Sequence, residues 1–159
     1  MKTIDTWIQT LELQPHTEGG YYKETSRSNE TFENGRAYYT NILFLLTPDS
    51  PSHFHRLDAD ETWYYHDGAP LSVHCIYPDG TYDEIRLGKD IENGETLQFV
   101  VPKGTIFGSS VDHDYALVSC MVSPGFDYTA FELFTQDMLL EDYPHHESVI
   151  KRLAYKTLP

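Results

Sequence analysis

The chain has 159 residues, of which 40% are hydrophobic and 14% aromatic, enough to bury the core of one domain over 1–159 and too apolar for a disordered segment or a disulfide-held miniature fold. Eleven Lys and Arg against 25 Asp and Glu leave a net charge of −14, which repels nucleic-acid phosphates and anionic lipid headgroups, so neither is expected as a partner. The longest apolar runs, 42–46 and 97–101, fall far short of the ~20 residues that span a bilayer. The first residues hold no apolar signal core, so a cytoplasmic location is expected. Cys75 and Cys120 lie in separate apolar-alternating stretches and read as two buried, reduced thiols.

Ile4, Trp7, Ile8 and Leu11 recur at helical spacing behind Thr3, a natural N-cap, and predict a short amphipathic helix that ends before Pro15. From Tyr21 the pattern changes to short runs rich in Tyr, Val, Ile, Phe and Thr, cut by turn dipeptides. Strands are predicted near 20–28, 37–47, 52–57, 61–67, 71–77, 81–87, 96–101, 105–110, 115–123 and 131–135. The clearest hairpin is Tyr77-Pro78-Asp79-Gly80-Thr81, where Pro presets one turn angle and Gly accepts a positive φ. So many short strands in one domain predict an all-β jelly roll or small barrel, whose closure removes exposed strand edges. Val149, Ile150 and Leu153 close the chain with a helix over 147–154, after the adjacent His145-His146, which reads as a solvated loop pair.

Polar chemistry concentrates in the segment from Ser52 to Gly68. Strand alternation predicts that His53 and His55 share one face, and that Glu61, Trp63 and Tyr65 share another on the next strand. If both faces are interior, two imidazoles and a carboxylate converge. That set can ligate a divalent metal through His53, His55 and Glu61, or act as a general base, His55, oriented by Glu61. Spacing alone leaves both open. Arg56 alternates away from His55 and reads either as a surface partner of Asp58 or Asp60 or as a clamp on an anionic ligand group. Trp63, Tyr65 and Phe107 are core aromatics by default, and a pocket lined by them can stack on a sugar face or a base. Glu18, before Gly19-Gly20, reads with His16 as a cap or rim group.

His53-Phe54-His55, with Glu61 and Gly68 following, resembles the first motif of the cupin superfamily, and Gly94 through Pro102-Lys103-Gly104 to Phe107 resembles the second. Five residues separate His55 from Glu61, Thr47 stands where the pattern has Gly, and Phe107 stands where it has a metal-binding His. Four segments resemble a branch of small single-domain cupins related to the RmlC-type deoxy-sugar epimerases: 15–22, 54–63, 102–107 and 123–132. The resemblance implies a cupin double-stranded β-helix with short N- and C-terminal helices, a homodimer, and a barrel pocket for a small polar metabolite such as a sugar or nucleotide-sugar-like compound. It implies a ligand role for Glu18, and for Tyr128 a general acid in a metal-independent isomerisation or epimerisation in which His55 takes the proton. A metal-dependent cupin enzyme and a non-catalytic binding module are the alternatives.

Overall fold

The computed structural model describes residues 2–159. Among these residues eleven strands form two antiparallel sheets: β1 (Gln14–Pro15), β2 (Tyr21–Arg27), β3 (Thr40–Leu46), β4 (Ser52–Leu57), β5 (Asp60–Gly68), β6 (Leu71–Ile76), β7 (Tyr82–Leu87), β8 (Gln98–Val101), β9 (Ile106–Val111), β10 (Ala116–Ser123) and β11 (Phe131–Leu133). The first sheet runs β1-β2-β3-β10-β5-β8 and the second β11-β4-β9-β6-β7, a jelly-roll sandwich. Apolar residues alternate inward from both sheets, as Phe44, Leu46 and Trp63 meet Val73, Cys75 and Phe107 in one core. Burial of each such large side chain contributes about 1.5–3 kcal/mol.

Helices cover parts of both outer faces. Helix α1 (Ile4–Thr10) starts where Thr3 Oγ1 accepts the Thr6 amide, and its Trp7 and Ile8 pack with Leu45 and Leu117 on the outside of the first sheet. On the second sheet, α2 (Gln136–Asp142) and α3 (Glu147–Leu153) cover Phe54, Ile76 and Ile106 with Leu139, Ile150 and Leu153. The expected strand over 131–135 ends at Leu133, and Thr135 instead caps α2, a helix not read from the sequence. Both cysteines are buried and free, and the Tyr77–Thr81 hairpin closes through Tyr77 N–H to the Thr81 carbonyl at 2.9 Å. His146 is not a free loop group, since its Nε2 donates to the Gly80 carbonyl at 2.8 Å.

Two local irregularities shape one end of the sandwich. Pairing of β4 with β9 slips by one residue between Ser52 and His55, and this bulge puts Ser52, rather than His53, on the inner side with His55. Gly108 faces the bulge, where a Cβ would lie 2.9 Å from the Ser52 carbonyl oxygen. Gly19, at φ +106°, lets the β1–β2 loop press so closely on the start of β4 that any Cβ there would collide with the Pro51 carbonyl. The loop is tied down by the Glu18 carbonyl, which accepts the His53 amide at 2.6 Å and His53 Nδ1–H at 2.8 Å.

A candidate acid–base pocket

A cavity of about 500 Å³ opens between the sheets at this end. Glu18 and His16 of the β1–β2 loop, His55 of β4 and Glu61 of β5 form its inner wall, while Tyr22, Arg27 and Glu24 of β2 and Phe126, Asp127 and Tyr128 of the β10–β11 loop surround its mouth.

Hydrogen bonding fixes the protons. His55, 2% exposed, points Nδ1 at the His53 carbonyl at 2.7 Å. A carbonyl only accepts, so Nδ1 carries the hydrogen and the lone pair of the neutral ring lies on Nε2. That nitrogen is 3.2 Å from Glu18 Oε2, which also accepts a hydrogen bond from the Ser52 hydroxyl. Two lone pairs facing each other at this distance repel, which favours a proton held by one of the two groups. Burial holds the imidazole down to about 4 and pushes the Glu18 carboxyl up, which puts the proton on Glu18 and makes the resting pair neutral. His16 Nδ1 accepts the Glu18 amide at 3.1 Å, and desolvation keeps this ring also below its ordinary range. Its hydrogen therefore lies on Nε2, which has no hydrogen-bond partner among the described residues.

Glu61 accepts Trp63 Nε1–H on Oε2 at 3.0 Å, and its other oxygen has no hydrogen-bond partner among the described residues. Burial, and then repulsion from Glu18 whenever that carboxyl is ionised, push its carboxyl up to about 8. The expected orientation of His55 by Glu61 is thus corrected: Glu18 occupies the free ring nitrogen, because the Gly19 turn swings it under β4, and Glu61 is turned to Trp63.

Other expectations are redistributed. His53 is carried off the inner wall by the bulge and stacks on Tyr155 with ring centroids 3.7 Å apart. Arg56 pairs with Glu132 at 2.8 Å on the outside, since Arg36 already holds Asp58 at 2.7 Å, and it lines a separate surface groove. Trp63 and Phe107 are core residues, Phe107 with its ring 4.2 Å from that of His55. Tyr65 donates its hydroxyl to the Gly68 carbonyl at 2.5 Å and packs against the core without lining the pocket. Tyr128 stands at the mouth, 55% exposed. The sequence reading missed Ser52, Tyr22, Arg27 and Phe126. Tyr22 and Phe126 lay in the segments 15–22 and 123–132 that resemble the epimerase-related cupins, and Ser52 opened the segment of concentrated polar chemistry, whereas Arg27 had no signal to find it by.

The metal-ligand set His53, His55 and Glu61 does not fit this geometry. Both His55 nitrogens are engaged, His53 faces Tyr155, and among the described residues no three His, Cys, Asp or Glu side chains are grouped to hold a metal ion.

A double-sheet jelly roll with an interior pocket that holds a buried carboxyl–imidazole pair defines the class. The chain belongs to the Cupin superfamily (DUF985), whose profile matches residues 5–134. It is 36% identical to the uncharacterized protein YML079W of Saccharomyces cerevisiae, over 79% of this chain and 72% of the yeast protein. A hypothetical protein from Leishmania major superposes with a TM-score of 0.92 at 50% identity, covering 97% of this chain and 99% of that one. Protein SO0799 from Shewanella oneidensis gives 0.95 at 46%, covering 99% and 100%. Bacillus subtilis oxalate decarboxylase shares the fold alone, with a TM-score of 0.60 at 15% identity over 92% of this chain and 38% of that enzyme.

Proposed function

We propose that the pocket binds a small polar metabolite, a sugar or nucleotide-sugar-like compound, and moves a proton at a carbon next to a carbonyl, an isomerisation or epimerisation that uses no metal. The observation that carries this reading is the Glu18–His55 pair: a buried imidazole with Nδ1–H committed to a carbonyl and Nε2 at 3.2 Å from a carboxyl that lines a cavity. The carbon-bound hydrogen leaves as a proton to this pair, and the electron pair left behind forms the double bond of an enolate. The pair then holds two protons, with the imidazolium stabilised by the His53 carbonyl. His16 Nε2–H, which has no protein partner, donates to the enolate oxygen as a neutral imidazole. Return of the proton from the pair to the neighbouring carbon, while the hydroxyl proton on the deprotonated carbon passes to the former carbonyl oxygen, completes an isomerisation; return from the Tyr128 hydroxyl on the other face completes an epimerisation, after which the pair loses its extra proton to water and Tyr128 regains one from water. A carbonyl is required because an imidazole does not deprotonate an ordinary sugar carbon at neutral pH.

The test is exchange of the α-hydrogen of ketoses and keto-sugars in D2O, followed by NMR. Wild-type protein is expected to exchange it and His55→Asn to lose about 10²–10⁴-fold, whereas exchange at an unchanged rate in His55→Asn ends the assignment. The non-catalytic binding reading is favoured by one observation, the apolar Phe107 ring packed 4.2 Å from His55 at the base of the site. It predicts ligand binding with no exchange in wild-type protein. The proposal also includes a cytoplasmic homodimer, for which sedimentation equilibrium should give twice the chain mass of 18.3 kDa.

A further inference from the structure

The charge inside the pocket narrows the ligand class. Four acidic side chains line the cavity, Glu18 and Glu61 inside and Glu24 and Asp127 at the mouth, against one permanent cation, Arg27. That cation is already committed: Arg27 Nη2 donates to Glu24 Oε1 at 2.7 Å and to the Phe126 carbonyl at 3.3 Å, and Nε donates to Glu24 Oε2 at 3.3 Å. A phosphate entering this mouth meets two carboxylates and a guanidinium whose charge is paired with Glu24 through its Nε–Nη2 edge, leaving Nη1 alone to offer it. It also enters from a surface whose net charge is −14.

Deeper in, Glu61 is 8% exposed, and its Oε1 lacks a hydrogen-bond partner among the described residues. A buried carboxyl with an open acceptor and, among the described residues, no cation paired with it is short of a positive hydrogen-bond donor. The walls leading to it are the rings of Tyr22, Phe126 and Tyr128, with Phe126 and Tyr128 edge to face at a centroid distance of 4.9 Å. Aromatic faces attract cations and do not attract phosphates.

We infer that the ligand carries an amino group: the pocket takes an aminated polyhydroxy compound, its ammonium hydrogen-bonded to Glu61 Oε1 and passing along the Tyr22–Phe126–Tyr128 wall, in preference to a phosphorylated or nucleotide-bearing one. This rests on the reading of the same cavity as the metabolite site and narrows it. It also gives Glu61 a role in specificity, apart from the Glu18–His55 pair that moves the proton. The Glu61 carboxyl, which burial holds up to about 8, loses its proton to water as the ammonium arrives.

The experiment uses the full chain and three probes on one carbon skeleton: sorbitol, N-methylglucamine and sorbitol 6-phosphate, each titrated calorimetrically at pH 7. The expected result is at least tenfold tighter binding of N-methylglucamine than of sorbitol, with the phosphate weakest. Glu61→Gln, which keeps the shape and the Trp63 contact, should bring the amine down to the level of sorbitol. Equal or tighter binding of the phosphate, an amine preference that survives in Glu61→Gln, or failure of the amine to bind overturns the inference. D2O exchange separates the two claims: exchange without amine preference removes the charge assignment alone, and amine preference without exchange removes the catalytic reading alone.

Discussion

Two buried histidines on the second sheet invite comparison. His55 on β4 and His74 on β6 are each 2% exposed, each has both ring nitrogens in polar contacts, and burial holds each down to about 4. Their neighbours differ. His74 faces outward, with Nδ1 2.6 Å from the Tyr82 hydroxyl and Nε2 2.9 Å from Ser110 Oγ, and lines none of the larger cavities. Two hydroxyls can take either role in a hydrogen bond, so they satisfy a neutral ring without accepting a net charge. His55 faces a carboxyl that titrates, beside a cavity that a ligand can enter. A displaced pKa therefore marks burial in both places, and only the titratable partner and the access make one of them a candidate for chemistry.

The comparison can be broken by exchanging roles. His74→Ala should leave deuterium exchange near wild type but cost about 2–4 kcal/mol, since it strands two hydroxyls and leaves a void. Tm should fall on the order of 5–10 °C in thermal unfolding, as expected for a domain of this size. His55→Asn should show the opposite pattern, with lost exchange and a smaller loss of stability. A His74 variant that abolishes exchange while remaining folded would make the two sites one.

A second, smaller effect is set by pH. Glu61 rises from an ordinary 4.5 to about 8 on folding, so over that interval the native state binds more protons than the unfolded state and stability falls as pH rises. His55 and His74 have the opposite sign. Their folded values near 4 lie below the ordinary 6.5, so stability rises with pH between these limits and is lost as pH falls through them. The opposing contributions overlap below 6.5, and above it the carboxyls stand alone. Urea midpoints should therefore fall from pH 6.5 to 8, with a slope from Glu61 approaching 1.4 kcal/mol per pH unit, and Glu61→Gln should flatten the decline. An equally steep decline in Glu61→Gln would move its cause elsewhere. The smallest effect belongs to Arg56→Ala, which removes a half-exposed ion pair with Glu132 and should cost less than about 1 kcal/mol and leave ligand binding unchanged.

The strands were legible because alternation and turn chemistry are local: Leu71, Val73 and Cys75 face the core from β6, and Pro78-Asp79-Gly80 turns the chain where its residues say it should. His55, Glu61 and Tyr128 were placed at the pocket by the same pattern and by the cupin resemblance. The pairing among them was not legible. It depends on a one-residue slip between β4 and β9, which promotes Ser52 and displaces His53, and on a positive-φ Gly19 that brings Glu18 under a strand 34 residues further on at Ser52. Neither a bulge nor a loop's close approach leaves a periodic trace in sequence. Helix α2 was missed for a related reason, since seven residues after Thr135 give fewer than two turns of pattern.

The central claim is the proton arrangement of the Glu18–His55 pair, and ¹⁵N NMR of the His55 ring, titrated from pH 8 to 4, measures it. The account predicts a neutral ring at pH 7 with hydrogen on Nδ1, a hydrogen-bonded Nε2, and no protonation until pH falls to about 4. A ring that carries its hydrogen on Nε2, or that titrates near the ordinary 6.5, would contradict it.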